Sequence, residues 1–148
     1  MPTVKIVIDI VNEEQISFGA LLDLDIVGDT ITVAHAKISD YIDSRFGFQN
    51  EKKELSIKQI EFARDFGFDI SKYSKRVGET VINDILYSLD VESIVKQDLK
   101  PGTEVYNRHD IFSDRLVISS IKMDNGIVYF KGGCGRYAYA RNLIKVTE

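Results

Sequence analysis

A 33-residue pattern occurs twice in the first part of the chain. Residues 12–44 are NEEQISFGALLDLDIVGDTITVAHAKISDYIDS and residues 56–88 are SIKQIEFARDFGFDISKYSKRVGETVINDILYS, at an offset of 44 with no gap. The nine identical pairs are Gln15/Gln59, Ile16/Ile60, Phe18/Phe62, Asp25/Asp69, Ile26/Ile70, Val33/Val77, Ile38/Ile82, Asp40/Asp84 and Ser44/Ser88. Identity and a shared apolar pattern at one fixed offset indicate an internal duplication.

Each copy predicts a helical hairpin. Asn12-x-x-Gln15 and Ser56-x-x-Gln59 have the spacing of a capping box, in which the cap and the Gln satisfy each other's backbone N–H groups. Thr30 and Ser74 are suited to cap the second helices. A lone hairpin cannot bury its apolar face, so we expect the two copies to pack about a pseudo-twofold axis. The equivalent buried pairs are then expected to include Phe18/Phe62 and Ile38/Ile82.

The rest of the chain has strand patterns. Val4, Ile6, Ile8 and Ile10 alternate with other residues, which predicts a strand. It lacks an adjacent hairpin partner, so we expect it to pair with the C-terminal sheet or with a second copy of the chain. In the last third, Asn125-Gly126 predicts a hairpin turn. The candidate strands are Thr103–Tyr106, Arg115–Met123, Ile127–Lys131, Arg136–Ala140 and Leu143–Val146.

These patterns predict an α+β fold with an N-terminal strand, a duplicated helical hairpin and a small C-terminal β-barrel. The expected domains are residues 1–98, which hold the strand and the repeats 12–44 and 56–88, and residues 99–148, which hold the barrel. Hydrophobic residues make up 44% of the chain and charged residues 28%, which is typical of a globular protein. The single cysteine excludes an intrachain disulfide, and no secretory signal or membrane span is visible, so we expect a cytoplasmic protein.

Charge is distributed unevenly along the chain. Residues 1–50 have 3 basic and 8 acidic side chains (net −5), residues 51–98 have 8 and 10 (net −2), and residues 99–148 have 8 and 5 (net +3). Such asymmetry indicates different partners for the two ends, because the field of a protein steers its encounters. The simpler interpretation is that the charges only solvate each surface.

Aromatic and basic residues alternate in the last third. The aromatic residues are Tyr106, Tyr129, Phe130, Tyr137 and Tyr139, and the cations among them are Arg115, Lys131, Arg136 and Arg141. Aromatic rings that stack on bases, beside cations that contact phosphate, are typical of proteins that bind single-stranded nucleic acid. The alternative places the tyrosines in the core and the arginines outside.

Two resemblances favour the same interpretation. LKPGTEVY, VISSIKMDNGIVYFKGG and YAYARNLIKV resemble, in their strand rhythm, a Src-homology-3-like barrel of the Tudor or KOW type. The repeats resemble the SAP-type helix-extended-helix motif, which implies DNA contact by Lys72, Lys75 and Arg76 of the second copy. The first copy has Asp29 near the corresponding position and departs from this basic pattern, so the resemblance gives it a structural role.

Catalytic and metal sites have weaker support. Cys134 with His109 and Asp110 has the residue types of a nucleophile, a base and an orienting acid, but no family signature surrounds the cysteine. One cysteine and two histidines fall short of a zinc site. We therefore expect a protein that is not an enzyme and has no cofactor.

The sequence thus predicts a non-enzymatic protein that binds nucleic acid or a nucleoprotein through its basic C-terminal domain. The predicted binding residues are Lys72, Lys75, Arg76, Lys131, Arg136, Tyr137, Tyr139 and Arg141. The alternative is a protein inhibitor or adaptor, of the kind that phages and mobile elements encode, whose acidic N-terminal half docks on a basic partner. A small enzyme that uses Cys134 is the third hypothesis.

Overall fold

The chain has an α+β fold. The computed structural model describes residues 2–47, 54–110, 112, 114–132 and 135–147. The helices are α1 (Glu13–Leu21), α2 (Ile31–Phe46), α3 (Ile57–Asp65) and α4 (Lys75–Gln97). The strands are β1 (Glu104–Asn107), β2 (Leu116–Lys122), β3 (Ile127–Phe130), β4 (Tyr137–Tyr139) and β5 (Leu143–Lys145), and a 3₁₀ turn spans Ala140–Asn142. The chain divides into two compact units, Met1–Ile85 and Leu86–Glu148.

The helices of the N-terminal unit confirm the duplication. Both ends of α1 and α3 differ by 44 residues, and so do the first residues of α2 and α4. Asn12 and Ser56 each form the predicted capping box with the Gln three residues later. The predicted caps Thr30 and Ser74 accept from the backbone N–H groups of Val33 and Val77. The same local chemistry therefore starts each pair of corresponding helices.

The turns inside the two hairpins also correspond. Asp23 (φ 57°) and Gly67 (φ 89°) occupy the same left-handed position after the first helix. Asp25 and Asp69 each accept, through Oδ1, from the N–H two residues later, at 3.2 and 3.0 Å. This bond is the usual role of aspartate in a turn.

The buried residues of the repeats differ in part from the prediction. Ile26/Ile70 and Val33/Val77 are buried in both copies, but Phe18 is 51% exposed, and Ile38, Ile82 and Phe62 are only half-buried. The prediction of a buried Phe18 is wrong, because the buried residue of α1 is its neighbour Gly19. Ile26 folds back over Gly19, and two of its side-chain atoms lie 3.0 Å from where a Cβ would stand. The adjacent Phe18 is turned away from this contact.

The predicted N-terminal strand is also wrong. Residues 2–9 form no strand, and Ile10 makes an isolated antiparallel bridge with Thr30. Val11 N–H donates to Asp29 O at 3.0 Å, and Ile31 N–H donates to Asp9 O at 2.8 Å. The partner segment ends where α2 begins, so it is too short to extend a ladder.

The C-terminal unit contains an antiparallel sheet with strand order β4-β3-β2-β1-β5. Each strand lies within one residue of its predicted bounds. The prediction of a barrel is corrected to an open sheet, because β4 and β5, of three residues each, are its two edges. The core residues are Ile94, Leu99, Val105, Ile118, Val128, Phe130, Ala140 and Leu143. Because Ile94 belongs to α4, the end of this helix covers one face of the sheet.

Candidate nucleic-acid interface

The outer face of β2, β3 and β4 presents tyrosines to solvent. Tyr129 pairs with Tyr137 across β3 and β4, and Ile127 pairs with Tyr139. Side chains alternate along a strand, so Val128, Phe130 and Ala138 point to the core and the tyrosines point away from it. Tyr137 is 59% exposed and Tyr139 is 38% exposed. The alternative that places these two tyrosines in the core is therefore wrong.

Cations accompany the tyrosine rings. Arg141 places its guanidinium carbon 4.3 Å from the centroid of the Tyr139 ring, and Lys122 places its Nζ 5.7 Å from that of Tyr129. The rings of Tyr129 and Tyr137 are 6.2 Å apart and inclined by 50°. Both cation distances are within the range of cation–π attraction. We call Lys122, Tyr129, Tyr137, Tyr139 and Arg141 the tyrosine face.

Two further cations flank the turn between β3 and β4. Lys131 and Arg136 are exposed, and in the described part of the chain neither lies within ion-pair distance of an acidic side chain. Their charges are therefore available to an external anion. Gly133 and Cys134, which lie between these two cations in the sequence, are outside the described residues. The structure therefore does not test the hypothesis that Cys134 is a nucleophile. His109 has its Nε2 3.2 Å from Asn142 Oδ1.

The buried carboxylate of Asp90 binds Arg141 through two hydrogen bonds. The backbone N–H of Arg141 donates to Asp90 Oδ1 at 2.8 Å, and its guanidinium donates to Asp90 Oδ2 at 2.9 Å. Asp90 lies on α4 and is 1% exposed. Burial raises the pKa of Asp90, while the backbone bond, the charge and the side-chain bond of Arg141 lower it. Arg141 thus joins the buried acid to the exposed ring of Tyr139.

Asp90 was not among the residues that the sequence predicted to be functional. It lies just beyond the second copy, so the duplication gives it no counterpart with which to compare it. The sequence shows only an acidic residue between Leu89 and Val91, and nothing local that names its partner. A buried carboxylate requires a partner, because an unpaired buried charge is costly.

The three predicted cations of the second repeat lie among acids. Arg76 is 3.3 Å from Asp40 Oδ1 and 2.7 Å from Asp43 Oδ2. Lys75 is 3.7 Å from Glu79. Lys72 is exposed. The hydrogen bonds with Ser71 are the main cause of the lowered pKa of Asp69, and the charge of Lys72 also lowers it. These cations belong to the N-terminal unit, whereas the residues of the tyrosine face belong to the C-terminal unit.

Two further kinds of site were sought among the described residues, a metal centre and a membrane-spanning helix. No three of their His, Cys, Asp or Glu side chains come close enough together to hold a metal ion. None of the described helices has the length and apolar character that a bilayer crossing requires. The chain matches no protein-family model, no curated protein and no solved structure in these comparisons.

Proposed function

We propose that this chain is a non-enzymatic cytoplasmic protein that binds single-stranded nucleic acid on its tyrosine face. The observation that supports the proposal is the meeting of three outward tyrosines with several cations on one face of an open sheet. Rings on a sheet surface stack on bases at about 1–3 kcal/mol per base. Cations at the edge of such a surface contact the phosphates.

Single strands fit this face better than duplexes do. A ring stacks only on a base whose face is free, and the bases of a duplex already stack on one another. Tyr129 and Tyr137 lie side by side on adjacent strands, which gives a platform for neighbouring bases. Stacking does not depend on base identity, so we expect weak sequence preference.

The cations divide into two roles. Lys122, Lys131 and Arg136 are exposed and suited to contact phosphate. Arg141 shares its charge with Asp90, so its role in this proposal is to hold the Tyr139 ring. Arg76 is neutralised by Asp40 and Asp43 and is left out of the interface.

A salt series with labelled oligonucleotides tests the proposal. The probes are oligo(dT) and oligo(U) of about 20 nucleotides, longer than the largest usual site of one small domain, and a duplex of equal length, all read by fluorescence anisotropy. Three phosphate contacts predict that log K falls with a slope of about −2 against log salt on the single strands. We expect weaker binding to the duplex. If no probe binds at low salt, the proposal fails and the adaptor function takes its place.

A further inference from the structure

The N-terminal unit contains an apolar groove bordered by α1, α2 and the first turns of α4. Its volume is about 810 Å³. Its apolar lining includes Val11, Phe18, Ile26, Ile31, Ala34 and Ile38. Phe18 and Ile31 are exposed, so the groove is open to solvent along one side. Exposed apolar side chains that border a groove form a surface on which the apolar side chains of a partner can pack.

The second repeat covers the corresponding surface with its own side chains. Leu55 lies directly on the backbone of α4 at Gly78, where a Cβ would overlap it. The corresponding residues of the first repeat are Val11, which is shorter, and Ala34. The longer side chain over a glycine therefore fills space that stays open in the first repeat.

A second pair of positions shows the same difference. Gln59 Nε2 donates to Glu79 Oε1 at 3.4 Å and so connects α3 with α4. The corresponding Gln15 and His35 both line the open groove. The two repeats have the same backbone pattern. In the second repeat a side-chain hydrogen bond joins the two helices at this position, whereas the corresponding side chains of the first repeat border the open groove.

The charges at the groove are acidic. Glu14 lines the groove and the preceding Glu13 is exposed beside it, whereas the second repeat has Ile57 and Lys58 at these positions. Asp9 is exposed too, and its backbone carbonyl accepts from the N–H of the groove residue Ile31 at 2.8 Å. Arg76 also lines the groove, but Asp40 and Asp43 neutralise it. The groove therefore attracts a cationic partner.

We propose that this groove binds an amphipathic segment of a partner protein, with apolar side chains in the groove and lysine or arginine beside Glu13 and Glu14. An apolar stripe laid into a groove is a recurrent mode of peptide recognition. Glu13 lies outside the groove lining, so the occupant extends beyond the groove itself. The inference is independent of nucleic-acid binding, because every residue that carries it belongs to the N-terminal unit.

The test uses three labelled peptides of about 15 residues. The first has leucines at i, i+3, i+4 and i+7 with lysine elsewhere. The second has the same composition in an order that scatters the leucines around the helix. The third keeps the stripe and replaces lysine with glutamate. With the full chain, we expect the first peptide to bind at least about tenfold more tightly than either control.

Paired variants locate the binding. Phe18→Ala should weaken the first peptide about tenfold, as the loss of a central apolar contact does. Leu21→Ala is the control, because Leu21 is 85% exposed on the same helix and does not line the groove. Glu14→Lys introduces the residue that the second repeat carries as Lys58, so the helix tolerates it. This change should weaken binding at low salt more than at high salt, whereas Asp65→Lys, with the same change of net charge on α3, should not.

Three results would overturn the inference. The first is equal binding of the striped and scattered lysine peptides. The second is equal loss of affinity in Phe18→Ala and Leu21→Ala, with both variants showing wild-type circular dichroism. The third is a dimer in sedimentation velocity that Phe18→Ala converts to a monomer, because a second copy of the chain would then be the occupant.

Discussion

Asp40 and Asp84, which stand 44 residues apart, each accept a hydrogen bond from the N-cap of the opposite repeat's second helix. Thr30 Oγ1 donates to Asp84 Oδ2 at 2.7 Å, and Ser74 Oγ donates to Asp40 Oδ2. Each aspartate also has a second donor two residues after the cap, Thr32 for Asp84 and Arg76 for Asp40. This reciprocity is the signature of an isologous interface, here formed within one chain.

The two aspartates should contribute unequally to stability. Asp84 is buried and Asp40 is partly exposed, although their bonds correspond. We expect Asp84→Ala to lower the free energy of unfolding by about 2–3 kcal/mol, because it removes a buried carboxylate that accepts from the hydroxyls of Thr30 and Thr32. Asp40→Ala should cost about 1 kcal/mol or less, since solvent replaces its bonds. Urea denaturation checks both, with the exposed Asp65→Ala as control, and equal losses would contradict the expectation.

Removing Arg141 should destabilise the C-terminal unit through Asp90. Arg141→Ala leaves a buried carboxylate without its cation, and we expect a loss of about 3 kcal/mol, the low end for a broken buried pair. Adding Asp90→Asn to this variant should restore part of the loss, because the amide carries no charge. Arg136→Ala is the matched control, with an expected change under about 0.5 kcal/mol. Equal losses for the two arginine variants in urea denaturation would contradict a stabilising role of the Arg141–Asp90 pair.

The raised pKa of Asp90 gives stability a defined pH dependence. The folded chain binds this proton more readily than the unfolded chain, so the free energy of unfolding falls as pH rises through the folded pKa. The contribution is complete below the unfolded pKa and is lost above the folded one. Asp90→Asn should remove this decrease from the acid side of the stability profile while keeping an oxygen to accept from Arg141 N–H. The check is thermal unfolding of both proteins across the acid range, where parallel profiles would contradict the prediction.

Gly126 should tolerate no side chain. Its φ is 72°, and a Cβ would lie 2.5 Å from Asp90 Cβ. Gly126→Ala should therefore cost about 1–3 kcal/mol from backbone strain, plus the displacement of Asp90. Gly102 has a φ of 94° and open space around its Cβ position. Gly102→Ala should therefore cost the backbone strain without any steric contact. A difference between the two alanine variants in urea denaturation measures the contact, and identical losses would show that Asp90 moves freely.

Local chemistry explains which parts of the fold could be predicted from the sequence. The caps Asn12, Thr30, Ser56 and Ser74 act on backbone groups within three residues, so their pattern is sufficient. The turn at Asn125-Gly126 is equally local, and it placed β2 and β3 to within a residue.

The predictions that were wrong concerned features that depend on contacts between segments distant in the sequence. Phe18 is identical in the two repeats, yet Ile26 packs on Gly19 and leaves Phe18 outside. The alternation of Val4 to Ile10 is real, but a strand also needs a partner long enough to pair with it. For the candidate site, alternation along β4 predicted the common face of Tyr137 and Tyr139. The ion pair of Arg141 with Asp90, 51 residues away, had no local signal.

The tyrosine face should lose affinity for single strands in a graded way. Tyr137 is the most exposed of its rings, so we expect Tyr137→Ala to weaken oligo(dT) binding about tenfold, as the loss of one stacked base predicts. Tyr137→Phe should keep most of the affinity, because stacking uses the ring and not the hydroxyl. Tyr73→Ala, at a ring with the same exposure as Tyr139 but in the N-terminal unit, is the control and should change nothing.

The exposed lysine Lys131 separates stacking from charge. Lys131→Ala should weaken all single strands uniformly and make the salt slope shallower by about 0.7, the value of one phosphate contact on a single strand. Tyr137→Ala should instead leave the slope unchanged, because it removes no charge. Anisotropy titrations at four salt concentrations distinguish the two behaviours. If Tyr137→Ala and Tyr73→Ala bind equally well while Lys131→Ala is weakened, the nucleic acid is held by charge alone and the tyrosines are not its platform.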